Sequence, residues 1–537
     1  MLILVAILTM LIMATALLVI RLFKPDFAYH WILACLAVVI SFILILLSRP
    51  IQPQVIWSGN WQPEILFPDS PGLLLDSVSW TFTLAVIAMT MASLLTAVIR
   101  QPVAGWRTWS GSLVLTCVGL LAVLAENPLT LMLSWAAIDC FEVWILFDWV
   151  RRSEVRQQIM IVMSARVLGI AFLILASLIA QQYETHLSFS DIPVEVSGYL
   201  LIAAGLRLGV LPLHAPFLQD RPIRKDLGTP LRLVPAAASL MLLVRTASSN
   251  IPATFVPWLL ALTALAGIYS VVSWYSLGSE LSGRSFWILG VASLAVVAAI
   301  RSQPLACLVW SLACILTGSF LFMFTHRSRL LNPVGWIVIL AFSALPLTPT
   351  WAGLGIYSIW AGQLVDPLNG VFDLIFAFTH LFLILGAIGH LFRQTEPVDA
   401  QDRTAWFFYI PGLILLLVTH FYIGSLIFPG VDLREWRGWL GAVVFIWAII
   451  LWLLIFRNPR FLSIRQGARN LTTPWISVFG RILSMEWIYG FVGVVYHFLD
   501  RVINWATMVL EGEGGMLWAV ILFLLLFSLS QQAGISK

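Results

Sequence analysis

GYLLIAAGLRLGVLPLHAPFLQDRPIRKDLGTPLRLVPAAASLMLLVRTA, residues 198–247, is apolar at both ends and broken in the middle by Pro212, Pro216 and Pro222. Arg207 sits in the first apolar half and His214 at the break. Proline lacks a backbone N–H and ends or kinks a helix. In hydrocarbon an unsatisfied backbone group costs several kcal/mol, so a broken helix survives only where protein or water satisfies it. Broken membrane helices with buried ionisable residues are where ion paths tend to lie. The stretch therefore reads as the pivot of a membrane protein, with the rest of the chain as scaffold around it.

The composition demands a membrane. Of 537 residues, 60% are hydrophobic and only 10% charged, and the mean hydropathy is +0.96. Soluble domains carry about a quarter charged residues, so this chain cannot cover a water-exposed surface. An all-α polytopic membrane protein follows, with the lipid bilayer as its first partner. The opening apolar segment is not followed by an A-x-A-like cleavage site and reads as a retained helix. A net charge of +4 is small for this length and argues against nucleic acid as a partner. Cys35, Cys117, Cys140, Cys307 and Cys314 are scattered with no C-x-x-C, which speaks against disulfide, zinc and iron–sulfur frameworks. No nucleotide-binding, zinc-protease or serine-hydrolase signature occurs, so no catalytic, cofactor-binding or metal-ligating residue is assigned.

A crossing needs about 20 apolar residues at 1.5 Å each. By that ruler helices are expected near 129–147, 157–180, 198–218, 230–248, 331–346, 350–364 and 371–392, among others, giving about 14 to 16 crossings. Residues 1–456 form one transmembrane bundle and residues 457–537 a separate region. Its basic stretch, with Arg460, Arg465 and Arg469 among apolar residues, suits either an interfacial helix or a loop, ahead of a final span. Basic residues gather in alternate connections: Arg21 and Lys24, Arg100 and Arg107, Arg151, Arg152 and Arg156, then Arg221, Arg224 and Lys225. The others hold acids such as Glu64, Asp69, Glu184 and Asp191. This bias places the N-terminus on the outer side of what is expected to be a bacterial plasma membrane.

Charge at mid-bilayer costs about 2.5–3.5 kcal/mol on insertion scales, so each instance asks for a partner. Asp139 and Glu142 share a face of the fifth span, with Trp135 one turn before; Arg166 lies mid-way along the sixth, and Arg207 on the next. These four either hold three helices in register or line a hydrated polar axis. His380 and His390 lie on the span 371–392, with Asp373 before them and His420 on the following one. A lone membrane histidine is more often a packing residue than a proton carrier. Glu280 and Arg284 stand at a helix end, where snorkelling accounts for them.

LPLHAPFLQD (211–220) resembles the broken seventh helix of the antiporter-like subunits of complex I (L, M and N types), the Mrp antiporters and the membrane hydrogenases. TPLRLVPAAASLMLLVR (229–245), ENPLTLMLSW (126–135) and SARVLGIAF (164–172) resemble that family's eighth, fifth and sixth helices. The resemblance spans roughly residues 60–400. It implies two inverted repeats, each with a broken helix, and a place beside other membrane subunits in a redox-driven proton-translocating complex. Redox cofactors are then expected in those partners and none in this chain. The basic segment and last span resemble the lateral helix and anchor of the L type.

Departures fall on the family's proton-carrying positions. Ala136 follows Trp135 where a Glu is expected, and Arg207 stands where a Lys is expected. Leu168–Gly169 replaces Gly-Asp, and Arg232 and Pro235 replace a small residue and a His. ALPLTPTWAGLGIYS (344–358), similar to the second broken helix, contains no lysine. The chain's lysines are Lys24, Lys225 and Lys537, none mid-membrane. A buried lysine can lose its proton, whereas arginine stays charged. The inherited relay is thus rerouted or dead. If the chain conducts, Asp139 and Glu142 exchange protons, Arg166 and Arg207 are fixed counter-charges, His214 stands at the cytoplasmic mouth, and His380 and His390 extend the path. The alternatives are a non-conducting membrane subunit of a redox or inorganic-carbon-uptake complex, or a stand-alone cation/proton antiporter.

Overall fold

Apolar runs that must satisfy every backbone group internally form helices, and helices dominate the computed structural model. It describes residues 1–27, 29–59, 70–99, 105–149, 153–183, 187–214, 225–276, 280–324, 331–357, 367–391, 403–427 and 439–457. Beyond these it describes short helical pieces between 478 and 507, and 514–535. Two compact units emerge, Met1–Gly480 and Arg481–Lys537. The basic stretch expected to lie in the membrane interface falls outside the described residues, as does most of 485–510.

The first unit contains α1 (Leu2–Phe23), α2 (His30–Leu47), α3 (Ser77–Ala97), α4 (Trp106–Val123), α5 (Pro128–Trp149), α6 (Ser153–Gln182), α7 (Val194–Leu208) and α8 (Lys225–Thr246). It continues with α9 (Val256–Ser276), α10 (Glu280–Ile300), α11 (Pro304–Met323), α12 (Asn332–Phe342), α13 (Pro367–Leu391), α14 (Arg403–Ile427) and α15 (Leu440–Arg457). The second unit holds α16 (Gly514–Ile535). Among the described residues, twelve helices are long and apolar enough to cross a membrane, and α7, α12, α15 and α16 add shorter or less regular apolar pieces. The chain is an integral membrane protein. α8 and α10 are enclosed on all sides by other helices, while α1 and α2 bury only one face.

One feature was absent from the all-helical expectation. β1 (Gln54–Ser58) and β2 (Gly72–Leu75) form a two-stranded antiparallel ribbon at one end of the bundle. Its β2 strand ties to the end of α4, with Leu74 N–H donating to Leu124 O at 2.7 Å and Glu126 N–H to Gly72 O at 3.0 Å. The same end gathers the start of α7, where Ser197 Oγ donates to Asn250 O, and the α10–α11 turn, where Ser302 Oγ donates to Ser249 O. Asp76 caps α3 here in a capping box with Ser79, and its carboxylate takes both guanidinium nitrogens of Arg245 from the last turn of α8.

Two helices stop inside the bundle. α7 runs to Leu208 and no further, instead of the expected 198–218, because Gly209 takes a left-handed conformation (φ 77°) and Pro212 follows. Val210 N–H turns back onto Gly205 O at 2.9 Å, satisfying one of the freed carbonyls. α12 stops at Phe342, short of the expected 346. In place of a helix from 350 the chain makes a 3-10 turn, Trp351–Ile356; residues 358–366 fall outside the described residues. Pro346 and Pro349 account for the interruption, and Thr350 mends it: its Oγ1 donates to Ala341 O and accepts from Ala344 N–H. α11 begins beside the α10–α11 turn, so α12 enters from the end opposite to α7. The two broken elements therefore run in opposite directions.

Candidate functional site

α5, α6 and α7 bring the four membrane charges together. Asp139 lies about half-way along α5, with Glu142 almost one turn on and Trp135 one turn back. Spacings of three and four residues put all three on one face. Arg166 comes from the middle of α6 and Arg207 from the last turn of α7. Gly169 lets α6 and α7 approach: a Cβ there would stand 2.9 Å from Arg207 Cγ and 3.0 Å from Ala203 O.

The result is a continuous chain of ion pairs. Arg207 donates Nη1 to Asp139 Oδ2 at 2.7 Å and Nη2 to Asp139 Oδ1 at 2.8 Å, a two-pronged fork. Arg166 donates Nη1 to Asp139 Oδ1 at 3.3 Å and reaches both carboxylate oxygens of Glu142. Arg207 Nη1 also lies 3.4 Å from the Arg166 carbonyl, and its guanidinium stacks over the Trp135 ring at 4.4 Å. All five side chains are buried. Burying charges costs several kcal/mol each unless they pair well. Here two acids meet two arginines, so the chain carries no net charge, and Trp135 adds a cation–π contact.

The histidines divide. His214, buried just past the end of α7, donates Nδ1 to Pro212 O at 2.9 Å and lies within Coulombic reach of Arg166. His380 and His390 lie on α13. His380 Nε2 donates to Phe342 O at 3.1 Å, beside the second break, and His390 Nε2 to Leu321 O at 2.9 Å. They stand at the two ends of a string of rings. His390 stacks on Trp274 at 5.4 Å, Trp274 meets Trp287, Trp287 meets Phe342 at 4.8 Å, and Phe342 meets His380. Trp274 Nε1 and Trp287 Nε1 have no hydrogen-bond partner among the described residues.

Three further arginines lie inside the bundle, of which the sequence reading explains Arg284 by snorkelling, notes Arg232 only as a replacement for a small residue and passes over Arg301. Arg284 does not snorkel; it is buried and stacks over Phe322 at 5.4 Å, because α10 has neighbours on every side. Arg232 of α8 is buried as well, within Coulombic reach of Glu142 and Arg284. Arg301 pairs with Asp373 of α13 and donates to the Ile356 carbonyl at the end of the second break. Asp373 had been singled out in the sequence, but its partner lies 72 residues away. Among the described residues no group of three or more His, Cys, Asp or Glu gathers to hold a metal.

No protein-family profile matches the sequence, and no curated protein proves similar to it. Solved structures do match. A chain of the Mrp complex from Dietzia sp. DQ12-45-1b is similar over 93% of this chain, at 14% identity and a TM-score of 0.68, and this chain spans 63% of its length. A chain of the membrane-bound sulfane sulfur reductase, an archaeal respiratory membrane complex, is similar over 97% of this chain and 99% of its own, at 14% identity and a TM-score of 0.65. A chain of respiratory complex I from Thermus thermophilus is similar over 84% of this chain and 100% of its own, at 18% identity and a TM-score of 0.61. The fold is thus the one implied by the resemblance to antiporter-like subunits, a polytopic helical bundle shared with chains of these three membrane complexes.

Proposed function

We propose that the chain is an antiporter-like membrane subunit of a complex I-related assembly, with an impaired proton path of its own. Partner subunits carry the electron-transfer chemistry, and protons are the ion the assembly moves. The observation that supports this most is the Arg207 fork. Where the resembling family places a lysine able to release its proton, this chain has a guanidinium held by both carboxylate oxygens of Asp139 and covered by Trp135. A charge that never leaves cannot take turns with its neighbours during a cycle. The string of rings in the second half adds to this, since His390 and His380 are joined by ring contacts, which are not hydrogen bonds. Residues 1–456 form the bundle and 457–537 the lateral region and anchor, in a bacterial plasma membrane with the N-terminus outward.

One observation favours a conducting variant. Buried charge continues from Glu142 to Arg232 on α8 and Arg284 on α10. In that reading Asp139 and Glu142 exchange protons, Arg166 and Arg207 stay charged, and His214, His380 and His390 complete the route. Purification of the tagged chain from native membranes tests the assignment itself. Other membrane subunits and redox-active partners are expected to come with it, and the isolated chain in vesicles should exchange no cation for protons. Recovery as a lone, exchange-competent protein would overturn the assignment.

A further inference from the structure

Near the end of the bundle opposite the ribbon, α1, α4 and α5 leave a groove of about 360 Å³ that is open on one side. Its walls are apolar: Ala14 and Leu18 from α1, Val114 from α4, and Phe141 and Ile145 from α5, with Leu227 of α8 as floor. Small residues make the space. Gly111 faces Ile145 across it, and a Cβ at that position would meet Ile145 Cδ1 at an ordinary 3.7 Å.

The mouth differs in chemistry. Trp106 and Trp144 flank it, and such rings mark the headgroup level of a bilayer. Arg107 shares this mouth, 65% exposed at its side chain, its guanidinium 5.8 Å from the Trp106 ring centre and its Nη1 donating to Asp148 Oδ2 at 3.1 Å. Arg21 at the end of α1 and Arg156 on α6 are exposed at the same end of the bundle. Lys24, just past the end of α1, adds a further exposed basic side chain at this end. Among the described side chains at this end, Arg21, Lys24, Arg107 and Arg156 therefore outweigh Asp26 and Asp148.

We propose that this groove is a binding site for one anionic phospholipid, with an acyl chain between α1, α4 and α5 and its phosphate on Arg107. An apolar slot of this size suits a hydrocarbon chain, and its basic mouth selects the headgroup by charge. Asp148 tempers that selection by occupying one guanidinium nitrogen.

Native mass spectrometry of the full chain in mild detergent, offered phosphatidylglycerol or phosphatidylcholine, tests the site. The wild type should retain one phosphatidylglycerol in preference to phosphatidylcholine. Arg107→Gln should weaken phosphatidylglycerol retention about fivefold and leave phosphatidylcholine unchanged. Asp148→Asn should strengthen phosphatidylglycerol retention, and Gly111→Leu, which pushes a side chain into the slot, should weaken both lipids. Unfolding temperatures of the lipid-free variants establish that each is folded. Equal retention of the two lipids, or retention unaltered by Arg107→Gln and Gly111→Leu, would overturn the proposal. So would cross-linking of a cysteine at Thr15 to a partner subunit in the assembled complex, which would show the groove filled by protein.

Discussion

Arg207 shows how a single side chain can fix what its surroundings are able to do. Its fork onto Asp139 and its contact with Trp135 leave only Nε without a hydrogen-bond partner among the described residues. Arg207→Ala should lower stability by about 3–5 kcal/mol, because it leaves the buried carboxylates of Asp139 and Glu142 to share Arg166; thermal unfolding in detergent measures this. Asp76 supports a pH prediction. Burial would raise its pKa, but the Arg245 guanidinium and the Ser79 N–H outweigh that and hold it below the ordinary carboxylate value. A lowered folded pKa means stability that is fully present above the unfolded value, about 3.9, and is lost as pH falls through the lowered one. Asp76→Asn should therefore be less stable than wild type at neutral pH, and melting temperatures should converge below about pH 4. The four-charge grouping was legible in sequence, since charges in apolar spans demand partners and Asp139 and Glu142 share a face. Asp76 with Arg245 was not, because 169 residues separate them and nothing local pairs them.

At the scale of elements, the breaks matter most. Gly209 ends α7 directly after the turn that carries Arg207, and its positive φ is costly for any residue with a Cβ. Gly209→Ala should destabilise by about 1–2 kcal/mol. Gly169→Ala should cost about 1–3 kcal/mol, because its Cβ meets the Ala203 carbonyl and the Arg207 stem and drives α6 from α7. Both are read from thermal unfolding; a neutral Gly169→Ala would show that the close approach of the two helices is dispensable. Prolines announced both breaks, yet the sequence placed the helix ends several residues too far along. Gly209 signals a stop only once its left-handed conformation is known, and the Thr350 hydroxyl mends α12 from across a gap. The β1–β2 ribbon stayed hidden because its strands are short and lie outside the apolar runs. Arg284 was misread for a different reason: sequence shows nearness to a helix end, but not whether that end is enclosed.

For the whole molecule, the question is whether a fold shared with chains of the Mrp complex and of respiratory membrane complexes carries protons along its own centre. Buried ion pairs can often be exchanged for apolar side chains of similar volume with little loss of stability, whereas removal of one partner is severe. That difference separates a locked cluster from a working relay. The fourfold variant Asp139→Leu, Glu142→Leu, Arg166→Met and Arg207→Met removes all four charges of the chain of ion pairs together, so that none of the four is left without its partners. The decisive measurement is the number of protons translocated per electron by the reconstituted assembly carrying this variant, with its subunit content checked against wild type. A cluster that only holds α5, α6 and α7 in register predicts an unchanged ratio in a fully assembled complex. A lower ratio in an intact assembly would contradict it, and would mean that protons pass through Asp139 and Glu142 after all.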